Sequence, residues 1–221
     1  MMTSCATALI LDFGGVISKT LFETHRATEA ALGLAPGTLT WHGPFSKGTD
    51  PLWCAMQRGE LSERDYWSRR SREVGQLLGE EWHDMQTFVR RARGDDPALV
   101  IRPEAEHAIR VASEAGRKLA ILSNELDLFY GAEFRRKLPL LAYFDVIVDA
   151  THTGILKPDP RAYGAVTDAL GLDPQVCVFV DDQERNIEGA AACGLRTVWF
   201  DVQQPLRSYQ QALQLLGLAP S

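Results

Sequence analysis

The sequence predicts an α/β fold, a doubly wound parallel sheet of about five strands with an all-helical segment inserted after the first strand. Three observations point there. Short apolar runs recur along the chain and are continuous rather than alternating, as expected of strands covered on both faces. Helix-period stretches separate most of these runs, which makes parallel pairing through crossovers the simplest arrangement. Between residues 18 and 96 the rhythm breaks, and helical patterns follow one another with no buried strand among them.

In chain order, the strand candidates are residues 8–11, 119–122, 146–148, 176–180 and 196–200. The interrupted stretch holds amphipathic patterns at 21–32, 62–78 and 81–93; within it, Ser62 followed by Asp65 has the spacing of a helix N-cap with an acid three residues on. Further helices are expected at 103–115, 130–138, 160–170 and 187–193, and a closing one at 206–216. Pro103 and Pro160 stand at helix starts and Gly194 just past a helix end, the usual punctuation. These elements divide the chain into an α/β domain, 1–17 and 97–221, and a helical domain, 18–96.

Bulk properties narrow the function. A chain of 221 residues, 45% hydrophobic, suffices for one sizeable core and a smaller appendage. A formal net charge of −6 argues against nucleic acid or an anionic membrane surface as the main partner. Three short basic clusters (Arg69, Arg70 and Arg72; Arg90, Arg91 and Arg93; Arg135, Arg136 and Lys137) fall in helical stretches and read as solvated helix faces. The four cysteines are scattered without metal-ligand spacing, and three sit in apolar runs as small buried hydrophobes, which fits a reduced, cytoplasmic setting. The N-terminus reads as lacking a signal peptide, and no run approaches the roughly 18 apolar residues of a membrane span. Nothing in the composition sets the oligomeric state.

Open parallel sheets bind ligands at the carboxyl ends of their strands, so the residues just after each strand matter most. Asp12 follows the first strand, Ser123 and Asn124 the second, Asp149 the third, and Asp181 with Asp182 the fourth, while Lys157 lies shortly after the third. Phosphoryl transfer needs an in-line nucleophile, charge neutralisation and orienting donors. Asp12 can supply the nucleophile. A magnesium ion would find ligands in Asp12, Asp182 and a carbonyl of the turn at Gly14, with Asp181 holding a metal-bound water or acting behind it. Ser123 and Asn124 can donate to phosphate oxygens, and Lys157 can neutralise transition-state charge. Two adjacent acids after an apolar strand repel one another, and a cation is the simplest remedy.

Four segments in this order carry a family resemblance. Leu11-Asp12-Phe13-Gly14-Gly15-Val16-Ile17 resembles the first motif of the haloacid dehalogenase superfamily, and Leu122-Ser123-Asn124 resembles its second. Lys157-Pro158-Asp159-Pro160-Arg161-Ala162-Tyr163 resembles the third, and the segment from Phe179 through Asp181, Asp182 and Asn186 to Ala190 resembles the fourth. The resemblance implies a Rossmann-like core, a helical cap between the first two motifs, Mg²⁺ as cofactor and a small-molecule phosphate ester as substrate. Arg58-Gly59-Glu60-Leu61-Ser62 and Arg102-Pro103-Glu104 look closest to the α-glucose-1-phosphate phosphatase-like proteins and the N-terminal phosphatase domain of soluble epoxide hydrolases.

One position departs from the pattern. Phosphatases of the superfamily usually carry a second aspartate two residues after the nucleophile, as proton donor and later water activator; here that residue is Gly14. Loss of a positioned acid/base typically lowers the rate by about 10²–10⁴. A good leaving group would lessen the need for it, as in a sugar 1-phosphate or acyl phosphate. Lys19, His25 and Glu60 are candidate substitutes, and Trp41, His42, Arg58 and Trp67 are candidate pocket residues balanced against a packing role. Two rival readings stand beside the phosphatase. A metal-independent 2-haloacid dehalogenase is disfavoured by the Asp181-Asp182 pair, and a binding or regulatory protein without turnover is favoured only by Gly14.

Overall fold

The computed structural model describes residues 5–46, 48–93 and 97–218. Each of the five apolar runs forms a strand: β1 (Ala8–Leu11), β2 (Lys118–Ser123), β3 (Val146–Asp149), β4 (Cys177–Asp181) and β5 (Arg196–Trp199). They make one parallel sheet in the order β3-β2-β1-β4-β5. The central strands are apolar throughout because both faces are covered. One face buries Ala8, Ile10, Ala120, Leu122, Cys177 and Phe179 against α8 (Pro160–Leu170) and α9 (Glu184–Ala192). Their alternate neighbours, Leu9, Leu11, Leu119, Ile121, Val178 and Val180, are equally buried, and α5 (Pro103–Glu114) and α10 (Pro205–Leu215) also pack on the sheet.

The chain divides into two compact units, one built from Met1–Lys19, Val100–Leu126 and Leu138–Ser221, the other from Thr20–Leu99 and Asp127–Lys137. The first is the α/β unit and also contains α7 (Ala150–Thr153). The second is helical, with α1 (His25–Leu32), α2 (Pro51–Gln57), α3 (Glu63–Leu77), α4 (Met85–Arg93) and all but the first residue of α6 (Leu126–Arg136). Ser62 caps α3 by accepting from the Asp65 N–H at 3.0 Å. Helix α2 has no apolar periodicity to betray it; Pro51 at its first position and Asp50, which accepts from Trp53 N at 3.0 Å, start it. Helix α6 begins earlier than its sequence pattern, because Gly131 (φ 77°, ψ 160°) breaks it midway. Only Cys177 among the cysteines is buried; Cys5 is exposed, and Cys54 and Cys193 are half-buried, so proximity to apolar neighbours overstated their burial.

The helical unit has its own core, in which Phe22 meets Trp41 edge-on at 5.6 Å and Trp53 at 5.1 Å. One buried charge pair is completed there. Arg70 reaches Asp50 at 2.6 Å, and the Tyr66 hydroxyl donates to the other Asp50 oxygen at 2.7 Å, which satisfies groups that would otherwise be costly to desolvate. His25 is different: it is 7% exposed, and neither ring nitrogen has a hydrogen-bond partner. Burial, then the neighbouring His42 and Arg70, push its pKa down to about 4 against the pull of Glu29. Between about pH 6.5 and 4 the unfolded chain therefore takes up a proton that the folded chain refuses, so stability falls as pH drops through that window and is flat below it, by about 3 kcal/mol in all. His25→Phe keeps a ring against Trp41 and sacrifices no hydrogen bond. Urea midpoints at pH 7 and 4.5 are expected to show a shallower acid loss in the variant; an unchanged slope would show that His25 does not cause it.

Candidate active site

The order β3-β2-β1-β4-β5 makes β1 the strand from which the chain first builds to one side and then to the other. Its carboxyl end is the switch point at which such sheets bind ligands, and Asp12 is the residue that follows β1 there. Because all five strands are parallel, Ser123, Asp149 and Asp181, the last residues of β2, β3 and β4, lie along the same edge. Asp149 is occupied in capping α7, accepting from Thr151 N at 2.9 Å.

Lys157 joins the motifs. Its Nζ lies 2.8 Å from Asp12 Oδ1 and 2.6 Å from Asp181 Oδ2, and the residue is 4% exposed. Burial would drive such an ammonium towards its neutral form, but the two carboxylates outweigh that and hold the pKa above the ordinary lysine range. Asn124 fixes the loop that carries it: its Oδ1 accepts from Lys157 N at 2.7 Å and its Nδ2 donates to Lys157 O at 3.2 Å. Ser123 is 5% exposed, and its Oγ accepts from Glu125 N at 3.4 Å.

Asp181 is fully buried and held on every side. Gln183 N and Asn186 Nδ2 donate to Oδ1 at 2.8 and 3.0 Å, while Asn186 Nδ2 and Lys157 share Oδ2. Asp12, Asp181 and Asp182 each present a carboxylate oxygen within 4.8 Å of the others. Three carboxylates gathered around the Lys157 ammonium form a group of a kind that suits a divalent cation. Both Asp181 oxygens are taken up by donors of the protein, whereas Asp182 is half-buried and more accessible.

The turn after Asp12 contains two glycines with different reasons to exist. Gly15 has φ 80° and ψ −28°, and a Cβ there would stand 2.7 Å from Asp182 Oδ2. Both the left-handed backbone and the approach of the carboxylate demand glycine. Gly14 has φ −70° and ψ 124°, which any residue adopts, and a Cβ there would meet nothing within 4 Å. It is exposed while its neighbours are buried. The missing acid therefore reflects neither a lack of space nor a backbone constraint.

Residues outside the four strand-end motifs support this turn, among them Arg102 of the Arg102-Pro103-Glu104 segment. Arg102, 2% exposed, donates to Gly15 O through Nε at 3.1 Å and Nη2 at 2.9 Å, and its guanidinium lies over Phe200 at 5.5 Å. Tyr209, 193 residues away in sequence, donates to Val16 O at 3.0 Å. Trp199 donates to Asp182 O at 3.0 Å, although the residue is 60% exposed. No local pattern signals these contacts, since each joins residues 17 to 193 apart in sequence. Of the residues weighed as acids or pocket walls, Trp41 and Trp67 pack in the helical core, Arg58 and Glu60 pair with each other at 2.6 Å on the surface, and His25 is buried.

The model of the haloacid dehalogenase-like hydrolases matches residues 6–194. Protein CbbY of Cupriavidus necator is 30% identical over 205 residues, covering 86% of this chain and 76% of that protein. Phosphatase MT3486 of Mycobacterium tuberculosis is 34% identical over 99 residues, and the alignment takes in 45% of this chain and about half, 46%, of that relative. Relatives include proteins named as phosphatases and as haloacid dehalogenases. The HAD-hydrolase YfnB of Bacillus subtilis, solved bound to magnesium, superposes with a TM-score of 0.69 over 97% of this chain and all of that one at 18% identity, a likeness of fold. With its four motif segments at the edge of a five-stranded parallel sheet, the chain belongs to the haloacid dehalogenase-like hydrolases.

Proposed function

We propose that this hydrolase is a magnesium-dependent phosphatase acting on a small phosphorylated metabolite, such as a sugar phosphate, through an aspartyl-phosphate. The observation that carries the reading is the single buried ammonium of Lys157 shared between Asp12 and Asp181 beside a third carboxylate. That arrangement gathers carboxylates able to hold a cation around a nucleophile at the switch point of the sheet. Asp12, Asp182 and the Gly14 carbonyl, with Asp181 behind them, would hold a magnesium ion, which when bound would supply charge neutralisation for the phosphoryl group. Asp12 attacks phosphorus in line, and the phosphorus–oxygen bond to the leaving group breaks with its electron pair going to that oxygen. Water then attacks phosphorus, releasing inorganic phosphate and regenerating the Asp12 carboxylate. Lys157 and the Ser123 hydroxyl stabilise the equatorial oxygens, and Asn124 contributes by holding the Lys157 backbone.

Gly14 shapes the substrate range. The leaving oxygen receives no proton from that position, so turnover favours leaving groups of low pKa, sugar 1-phosphates or acyl phosphates over simple alkyl phosphates. Free thiols at all four cysteines fit a reducing, cytoplasmic setting, and among the described residues no helix is long and apolar enough to cross a membrane. The test is phosphate release across a panel of esters with magnesium or with EDTA, alongside halide release from 2-haloacids. Expected are magnesium-dependent phosphate release, glucose 1-phosphate at least about tenfold ahead of glycerol phosphate, and no halide. Equal rates on those two esters would remove the leaving-group argument, metal-independent halide release would make the chain a dehalogenase, and silence throughout would make it a binding protein.

A further inference from the structure

Two basic clusters that look like separate solvated faces in the sequence meet around one cavity of the helical unit. The cavity, of about 260 Å³, lies between α4 and α6 and is lined by Arg90, Arg93, Lys137, Phe129, Tyr130 and Phe134, with Glu133 at its wall. Gln86 ties the two helices together there by donating to Asp127 O at 3.1 Å. Gly131, in a backbone conformation open to glycine (φ 77°, ψ 160°), breaks α6 at the wall of the cavity.

The charges around this cavity do not balance. Arg91 is engaged by Glu80 at 3.0 Å, Arg135 by Asp127 at 2.9 Å, and Glu133 is neutralised by Arg136. Arg90 and Lys137 have no carboxylate partner among the described residues. Arg93 donates to the Tyr130 hydroxyl at 2.6 Å and lies over its ring at 5.6 Å, and Tyr130 stacks on Phe134 at 4.3 Å. Cations of this kind, one of them planar and forked, suit a phosphoryl group, and a wall of rings suits a flat π-system. The volume lies just below the usual range for ligand pockets and is too small for a dinucleotide.

We propose that this cavity binds a phosphorylated planar ring of the nucleoside monophosphate class, with the phosphoryl group against Arg90 and Lys137 and the ring against the Phe129, Tyr130 and Phe134 wall. None of its lining residues belongs to the carboxylate motifs, and the proposal does not depend on turnover.

The test is calorimetric titration of adenosine 5′-monophosphate into the full-length Asp12→Asn protein in EDTA, where neither hydrolysis nor a divalent cation contributes. Expected is saturable binding of one nucleotide per chain, weakened at least about tenfold by Arg90→Glu with Lys137→Glu. Adenosine and inorganic phosphate are each expected to bind at least about tenfold more weakly than the nucleotide, since each engages only half of the cavity. Arg90→Gln with Lys137→Gln provides a neutral pair should charge reversal disturb folding, judged by the thermal midpoint. No binding of the nucleotide, undiminished binding by both folded double variants, or inorganic phosphate binding as tightly as the nucleotide would overturn the proposal.

Discussion

Asp12→Asn is expected to lower magnesium-dependent phosphate release by at least about 10³-fold. The substitution keeps the shape of the side chain and removes its charge, so it takes away the attacking oxygen without opening space. The fold should survive it. Asp12 is one of two partners of Lys157, and the other, Asp181, keeps its 2.6 Å contact and its donors Gln183 and Asn186. Without metal, the variant also relieves repulsion within the Asp12, Asp181 and Asp182 set, so its thermal midpoint in EDTA is expected to equal or exceed that of the wild type. Losing a carboxylate also weakens the cation site, and the two effects separate by titrating magnesium: the lost rate should not return at saturating metal. Full recovery would reduce Asp12 to a metal ligand, and no difference between the variant and the wild type at any magnesium concentration would end the enzymatic reading.

Gly14→Asp is expected to raise turnover of simple alkyl phosphates by about 10²–10⁴, with a much smaller gain on esters with good leaving groups. The position accepts the side chain, because its backbone at φ −70° and ψ 124° is ordinary and a Cβ there meets nothing within 4 Å. The new carboxylic acid would give the leaving oxygen its proton and later accept one from water. Replacing glycine where no strain results also restricts the unfolded chain, so no stability loss is expected when magnesium is present to balance the added charge. Gly15→Ala is the control that separates chemistry from disturbance of the turn. Its φ of 80° and a Cβ 2.7 Å from Asp182 Oδ2 force the carboxylate aside, and activity should fall on every ester alike. The diagnostic is the ratio of kcat/KM for glycerol phosphate to that for glucose 1-phosphate. If Gly14→Asp leaves this ratio unchanged, the absent acid is not what limits the enzyme, or another group already serves.

Much of the fold was legible in order and type because its signals are local. Continuous apolar runs at β1, β2 and β4 follow from burial on both faces, and Pro103 and Pro160 mark helix starts by their own covalent geometry. Helix α2 escaped because residues 51–57 are apolar on most sides, so that only the Asp50 cap identifies it. Arg70 does not lie on a solvated face as its basic cluster suggested but is buried against Asp50 and Tyr66: 20 residues separate the ion pair, and nothing local in the sequence joins its ends. The basic side chains of α4 and α6 are exposed or half-buried as the sequence suggested, but the cavity they share exists only after residues 85–93 and 127–137 have packed together.

The candidate site divides in the same way. By itself the sequence determined which residues end the strands, and therefore that Asp12, Ser123, Asp181 and Asp182 share an edge, because a parallel sheet allows no other placement. It also determined that residue 14 has no proton to give. Only the tertiary structure decided that Lys157 is divided between two carboxylates, that Asn124 holds the Lys157 backbone, and that Arg102 and Tyr209 brace the turn after Asp12. It decided too that Gly15 is obligatory and Gly14 is not. The reason is physical: a residue's chemistry is local to its own atoms, whereas the charge it must balance and the space it must leave belong to neighbours that only folding brings near.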